Sequence, residues 1–180
     1  MQSDAAAAVL ALVRAAEPRC GRTVVIGIDG PSGSGKTTLA EEVRQALDCP
    51  VVHMDDLFPG WDGLAAAPGL LTEQVLRPLA QGTDAGYRRW DWTASCWGER
   101  VEVARTPLLV VEGCASTVRP AAEFIAVRVW VEAARAVRMA RGLARDGEAY
   151  RPHWQRWAAQ ECALYAADRT RESADVIVRT

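Results

Sequence analysis

The octapeptide Gly30-Pro31-Ser32-Gly33-Ser34-Gly35-Lys36-Thr37 constrains this chain more than any other stretch. It follows the pattern G-x-x-x-x-G-K-[ST], which cradles phosphates when it joins a buried strand to a helix. Both flanks comply. Thr23 to Ile28 is short, apolar and β-branched, as a buried strand is, and Asp29-Gly30 ends it. Leu39, Val43, Ala46 and Leu47 then recur at helical spacing until Asp48-Cys49-Pro50 stops them. The glycines let backbone N–H groups converge on phosphate oxygens, and the helix N-terminus adds a partial positive charge there. The expected ATP-binding set is Gly30, Ser32, Gly33, Ser34, Gly35, Lys36, Thr37 and Thr38. Lys36 reaches the outer phosphates and the Thr37 hydroxyl holds a Mg²⁺.

Composition points the same way. Of 21 basic residues only Lys36 is a lysine; the rest are arginine. The one compact, flexible point charge in the chain stands where phosphates want it. A length of 180 residues implies one domain, 1–180, with a sizeable core. The net charge of -2 leaves no footprint for a nucleic-acid polymer or a membrane surface. No apolar run is long enough to span a membrane, and no basic residue precedes the alanine-rich start, so no signal peptide is expected. Five scattered cysteines without C-x-x-C imply reduced thiols and a cytoplasmic protein. The oligomeric state stays open between monomer and homodimer.

Along the chain, Ser3 or Asp4 caps a helix over 5–17. Val51 to Met54 reads as a second buried strand that delivers Asp55 and Asp56 at its C-terminal end, where open α/β sheets bind ligands. A loop over 57–69 precedes a helix over 71–80, whose last turn Pro78 should disturb. Two short strands over 87–92 and 100–103 follow, with Trp97-Gly98 between them. Leu108 to Val111 is a core strand ending in Glu112-Gly113. Residues 125–131 form another strand, 132–145 and 153–168 helices, and 174–178 a last strand. Strands alternating with helices predict a parallel sheet with right-handed crossovers. Residues 57–104 are the expected substrate-binding region and 138–152 the expected lid.

Several residues carry chemistry in this reading. A carboxylate just past the strand beside the phosphate loop can take a proton from an acceptor hydroxyl and help hold Mg²⁺, which nominates Asp55 or Asp56. Glu112 has the position of the acidic metal-shell residue. Arg138, Arg141 and Arg145 share one helix face, and Arg141 and Arg145 suit a lid that neutralises charge on a transferring phosphoryl group. Asp56, Trp61, Arg89, Trp90 and Asp91 are the candidate acceptor contacts, set against simple packing of the tryptophans. His53, inside an apolar strand, reads as a core histidine, and His153 as a surface or capping residue.

With these residues in place, the chain resembles the P-loop kinases of the uridine kinase, nicotinamide riboside kinase and pantothenate kinase group. The resemblance rests on Gly30 to Thr38, on Met54-Asp55-Asp56-Leu57-Phe58, on Val110-Val111-Glu112-Gly113, and on Arg141 to Asp146. It implies a P-loop NTPase fold of the α/β class, with a five-stranded parallel sheet flanked by helices and a lid. It implies ATP and Mg²⁺, a small hydroxyl-bearing, nucleoside-like acceptor, Asp55 rather than Asp56 as the base, and Thr37, Asp55 and Glu112 around the metal. Trp90-Asp91 and Ser95 depart from the group's Tyr-Asp and His for uridine, which leaves the acceptor open. The alternatives are a nucleoside monophosphate kinase and a non-catalytic ATP-binding regulatory module.

Overall fold

The computed structural model describes residues 3–147 and 151–180. Its centre is β1 (Val24–Asp29), buried along its whole length between two parallel neighbours. Five parallel strands run in the order β2 (Val51–His53), β5 (Leu108–Glu112), β1, β6 (Val127–Glu132) and β7 (Val176–Arg179). Strands enclosed on both faces read as continuous apolar runs, which is why these segments stand out in the sequence. Alternation still sorts their side chains. Val24, Ile26 and Ile28 join one apolar cluster with α1 (Asp4–Ala15) and α2 (Lys36–Leu47). Val25 faces the opposite cluster, and Gly27 and Asp29 share its face.

Ser3 caps α1, accepting the Ala6 N–H, and its hydroxyl is bonded to Glu42 of α2. The loop after β1 runs into α2, whose C-terminal Asp48 takes the left-handed conformation. The strand carrying Asp55 is shorter than expected. It ends at His53, and Met54–Asp56 form a 3₁₀ turn.

The middle region departs most from expectation. Helix α3 (Ala67–Leu71), a π turn over Thr72–Leu76 and α4 (Arg77–Gln81) run on without a break. The widened turn lets the Arg77 N–H reach back to Thr72 and puts Pro78 in the first turn of α4, where its missing N–H costs little. Strands β3 (Ala85–Asp91) and β4 (Cys96–Val103) form a separate antiparallel hairpin. Its turn is at 92–95, not at Trp97-Gly98, which lie inside β4. The Asp91 carboxylate closes the turn early by accepting the Thr93 and Ala94 N–H groups.

Helix α5 (Arg135–Asp146) starts three residues later than the periodicity predicts, because Glu132 still belongs to β6. There it pairs with Arg171 and Arg179. Helix α6 is Arg151–Asp168. Of the expected lid over 138–152, residues 148–150 lie outside the described residues.

Candidate active site

The phosphate loop is shaped by what presses on it. A Cβ on Gly30 (φ +139°) would meet the Val131 carbonyl at 2.0 Å, and one on Gly33 (φ +77°) the Arg138 carbonyl at 2.3 Å. Only glycine allows both the backbone angles and these approaches. Lys36 folds back so that Nζ donates to the Pro31 carbonyl at 3.1 Å. Burial acts to lower its pKa, but Cys114 and the carboxylates of Glu161, Glu112 and Asp29 carry it above the usual lysine value. It stays an ammonium. Ser32, Gly33, Gly35, Lys36, Thr37 and Thr38 line a cleft of about 980 Å³. Gly30 and Ser34 are buried behind that wall.

Beneath the loop, Asp29 is fully buried. Its carboxylate accepts the N–H groups of Gly30, Ala115 and Thr117 and the hydroxyls of Thr117 and Tyr165. Burial pushes this carboxyl above the usual aspartate range, while those donors pull the other way. The end of β1, the turn after β5 and α6 are tied together at this one side chain.

Asp55, Glu112 and Thr37 line the same cleft. The Thr37 hydroxyl lies 3.3 Å from Glu112 Oε2, and His53 Nδ1 lies 2.7 Å from Glu112 Oε1. His53 is therefore not the core histidine expected. On a short edge strand its neighbour Val52 points inward and the imidazole points out into the cleft, about half exposed. The bond to Glu112 lifts its pKa above the usual histidine value. Surrounding protein, and then the Glu112 charge, raise the Asp55 carboxyl, opposed by Arg145, Lys36 and His53. The Asp55 side chain itself stays open to the cleft's solvent.

Among the described residues no three His, Cys, Asp or Glu side chains converge as a metal cage. Two carboxylates and a hydroxyl beside a phosphate-binding loop are nonetheless the hard oxygen set that Mg²⁺ shares with substrate phosphates. The residues fit that ion.

The far end of the cleft is aromatic. Trp61 stacks on His153 at 4.3 Å between ring centroids and meets Trp92 at 5.0 Å. His153 is thus a cleft residue rather than a surface cap. The Trp92 indole N–H donates to the Asp55 carbonyl, fixing the hairpin against the carboxylate's backbone. Asp56 accepts the Tyr87 hydroxyl at 3.0 Å and pairs with Arg89 at 3.4 Å. Asp56, Trp61 and Arg89 all reach the cleft. Trp90 and Asp91 do not: Trp90 packs edge-on against Trp97, and Asp91 serves the hairpin turn.

The arginines of α5 divide. Arg141 and Arg145 line the cleft, and Arg141 Nη1 donates to Thr180 Oγ1 at 2.8 Å. Arg138 turns away, its Nη1 donating to the Ser32 carbonyl at 3.2 Å. Cys114 and Trp157, which the sequence does not single out, also line the cleft, and Glu161 stands behind it, bonded to the Trp157 indole. Their only sequence signal is a thiol, an aromatic or an acidic residue on an otherwise ordinary element.

No protein-family model matches the sequence. A solved structure described as a possible uridine kinase from Bacillus stearothermophilus superposes with a TM-score of 0.68 over 97% of both chains, at 20% identity. Nicotinamide riboside kinase 1 of Homo sapiens is 34% identical over 104 residues, 51% of this chain and 49% of the relative. The fold is that of a P-loop kinase, and its likeness is to the uridine kinase and nicotinamide riboside kinase group. Cytidylate kinase of Pyrobaculum calidifontis is 33% identical over 129 residues, 71% of this chain and 63% of that enzyme. The chain thus spans about half the length of the human relative and less than two thirds of the archaeal one. In this kinase fold no helix among the described residues is long and apolar enough to cross a membrane.

Proposed function

We propose that this chain is a cytoplasmic ATP-dependent kinase that transfers the γ-phosphoryl group to a hydroxyl of a small nucleoside-like metabolite. One observation carries the reading. The phosphate loop with Lys36, the carboxylates Asp55 and Glu112, and the arginines Arg141 and Arg145 all line a single cleft whose far end is aromatic. The acceptor class is supported by a relative's name, nicotinamide riboside kinase 1.

In this reading the loop amides and Lys36 hold the phosphate chain. A Mg²⁺ held by Thr37, Asp55 and Glu112 would offset phosphate charge. Asp55 Oδ accepts the proton of the acceptor hydroxyl as the new P–O bond forms. Arg141 and Arg145 stand where negative charge grows on the transferring group and the leaving diphosphate. Trp61, Trp92 and Trp157 give a planar acceptor flat faces to pack on, while Asp56 and Arg89 offer an acceptor and donors for its polar groups. Residues 1–180 act as one domain, with 57–104 shaping the acceptor end. No nucleic-acid polymer or membrane is required, and a homodimer is compatible with the site.

The test is ADP release across a panel of nucleosides and nucleoside monophosphates, with Asp55→Asn alongside. The expected result is release stimulated by a nucleoside-like alcohol, cut at least ~100-fold in the variant with Mg·ATP affinity within about threefold. Stimulation by monophosphates alone would favour a cytidylate kinase-like reaction. Mg·ATP binding with no acceptor-stimulated release would favour a regulatory module.

A further inference from the structure

Ser32 sits in the middle of the phosphate loop, yet its backbone is held from outside the loop. Its N–H donates to Glu161 Oε1 at 2.7 Å, and its carbonyl accepts from Arg138 Nη1 at 3.2 Å. The two holders approach each other, with Arg138 Nη1 3.7 Å from Glu161 Oε2, and their side chains are only 13% and 3% exposed. Glu161 is fixed in turn by the Trp157 indole N–H at 2.9 Å, one helical turn earlier, and by the Cys114 thiol at 3.3 Å. The guanidinium of Arg138 lies over the Trp154 ring at 5.6 Å. Neither Glu161 nor Arg138 lines the cleft, so neither can meet the phosphates itself.

A carboxylate this deeply buried is unfavourable unless hydrogen bonds satisfy it. One of those bonds comes from the N–H of a loop whose following residues, Gly33 and Gly35 to Thr38, line the cleft. The peptide flanking Ser32 on its other side is pinned by a cation from a different helix. Gly33 follows at once, with α5 backbone pressed against it.

We propose that Glu161 of α6 and Arg138 of α5 form a bracket on the Ser32 backbone that sets the direction of the loop amides and Lys36, and that joins both lid-side helices to nucleotide binding. This deepens the kinase reading and rests on it. Glu161 and Arg138 are positioning residues. The bracket gives Arg138 a different role from the lid contact its helical spacing suggests.

Glu161→Gln keeps the shape and one acceptor oxygen but removes the charge facing Arg138, and Arg138→Met keeps the bulk but removes the donor. Expected for each is a loss of ~10–100-fold in kcat/KM for ATP, as for a misplaced phosphate site, with the acceptor KM within about threefold of wild type. The double variant should lose no more than the worse single one, because both act through one peptide. In nucleotide-free wild-type protein labelled with ¹⁵N, the Ser32 amide should resonate downfield and exchange slowly, and Glu161→Gln, whose remaining oxygen is a weaker neutral acceptor, should reduce both. A rapidly exchanging Ser32 amide in wild type, wild-type ATP kinetics in a folded Glu161→Gln, or losses that multiply in the double variant would each overturn the bracket. Should Glu161→Gln not fold, the wild-type amide and Arg138→Met decide. Failure of wild-type protein to bind Mg·ATP refutes the kinase reading instead, and the amide measurement then still judges the bracket by itself.

Discussion

Replacing Asp29 with asparagine tests the idea that one buried carboxylate joins the sheet to the phosphate loop. Oδ1 accepts Gly30 N–H at 2.6 Å, Ala115 N–H at 2.9 Å and the Tyr165 hydroxyl at 2.8 Å. Oδ2 accepts Thr117 N–H at 2.7 Å and its hydroxyl at 2.8 Å. Asparagine has one oxygen. Turned to keep the first set, its NH₂ faces the Thr117 N–H, donor against donor, and the Thr117 hydroxyl must rotate to accept. The variant loses one charge-assisted bond, strands a buried amide, and weakens the remaining bonds from ionic to neutral. Together these cost about 2–4 kcal/mol. Against a total of roughly 5–15 kcal/mol, that is a large share. Urea titration followed by tryptophan fluorescence reads it directly, since Trp130 packs edge-on against Tyr165 at 4.7 Å. The midpoint should fall with the slope unchanged. A loss under about 1 kcal/mol at unchanged slope would refute the claim that these five bonds act as charge-assisted contacts.

Two further predictions concern pH. Glu132, bonded to Arg171 and Trp130 and paired with Arg179, has its pKa lowered from 4.5 to about 2. A depressed acid stabilises the fold above its unfolded pKa and loses that contribution as pH falls through about 2. Glu132→Gln should therefore cost about 1–2 kcal/mol at pH 7 after solvent screening, with the gap to wild type closing between pH 4.5 and 2 in acid melts. A gap independent of pH would contradict it. His53 is raised above 6.5 chiefly by its bond to Glu112. Its contribution is full below pH 6.5 and fades as pH rises through the higher folded value. NMR titration of the imidazole without divalent metal should show the raised midpoint, and Glu112→Gln should return it toward 6.5; no movement in that variant would exclude Glu112 as the cause.

The phosphate loop and the sheet were legible from residue order because their information is local. Eight consecutive residues encode the loop, and each central strand is a short apolar run bounded by its own stop signals. That Asp55 and Glu112 stand together at one sheet edge follows from parallel strands, whose C-terminal ends must lie on the same side. Only tertiary structure decided the rest. His53 leaves the core because β2 is a sheet edge of three residues, a fact of strand order. Trp90 and Asp91 miss the cleft while Arg89 and Trp92 reach it, because Trp90 packs on Trp97, Asp91 is engaged in the hairpin turn, and Trp92 lies in that turn beyond the strand, where alternation no longer sorts side chains. Asp29 gathers donors from Thr117 and Tyr165, and Ser32 meets Glu161 across 129 positions of chain. Side-chain type and spacing determine an element and what it can do alone, but a buried polar group takes its meaning from partners that only the packed sheet and helices bring within reach.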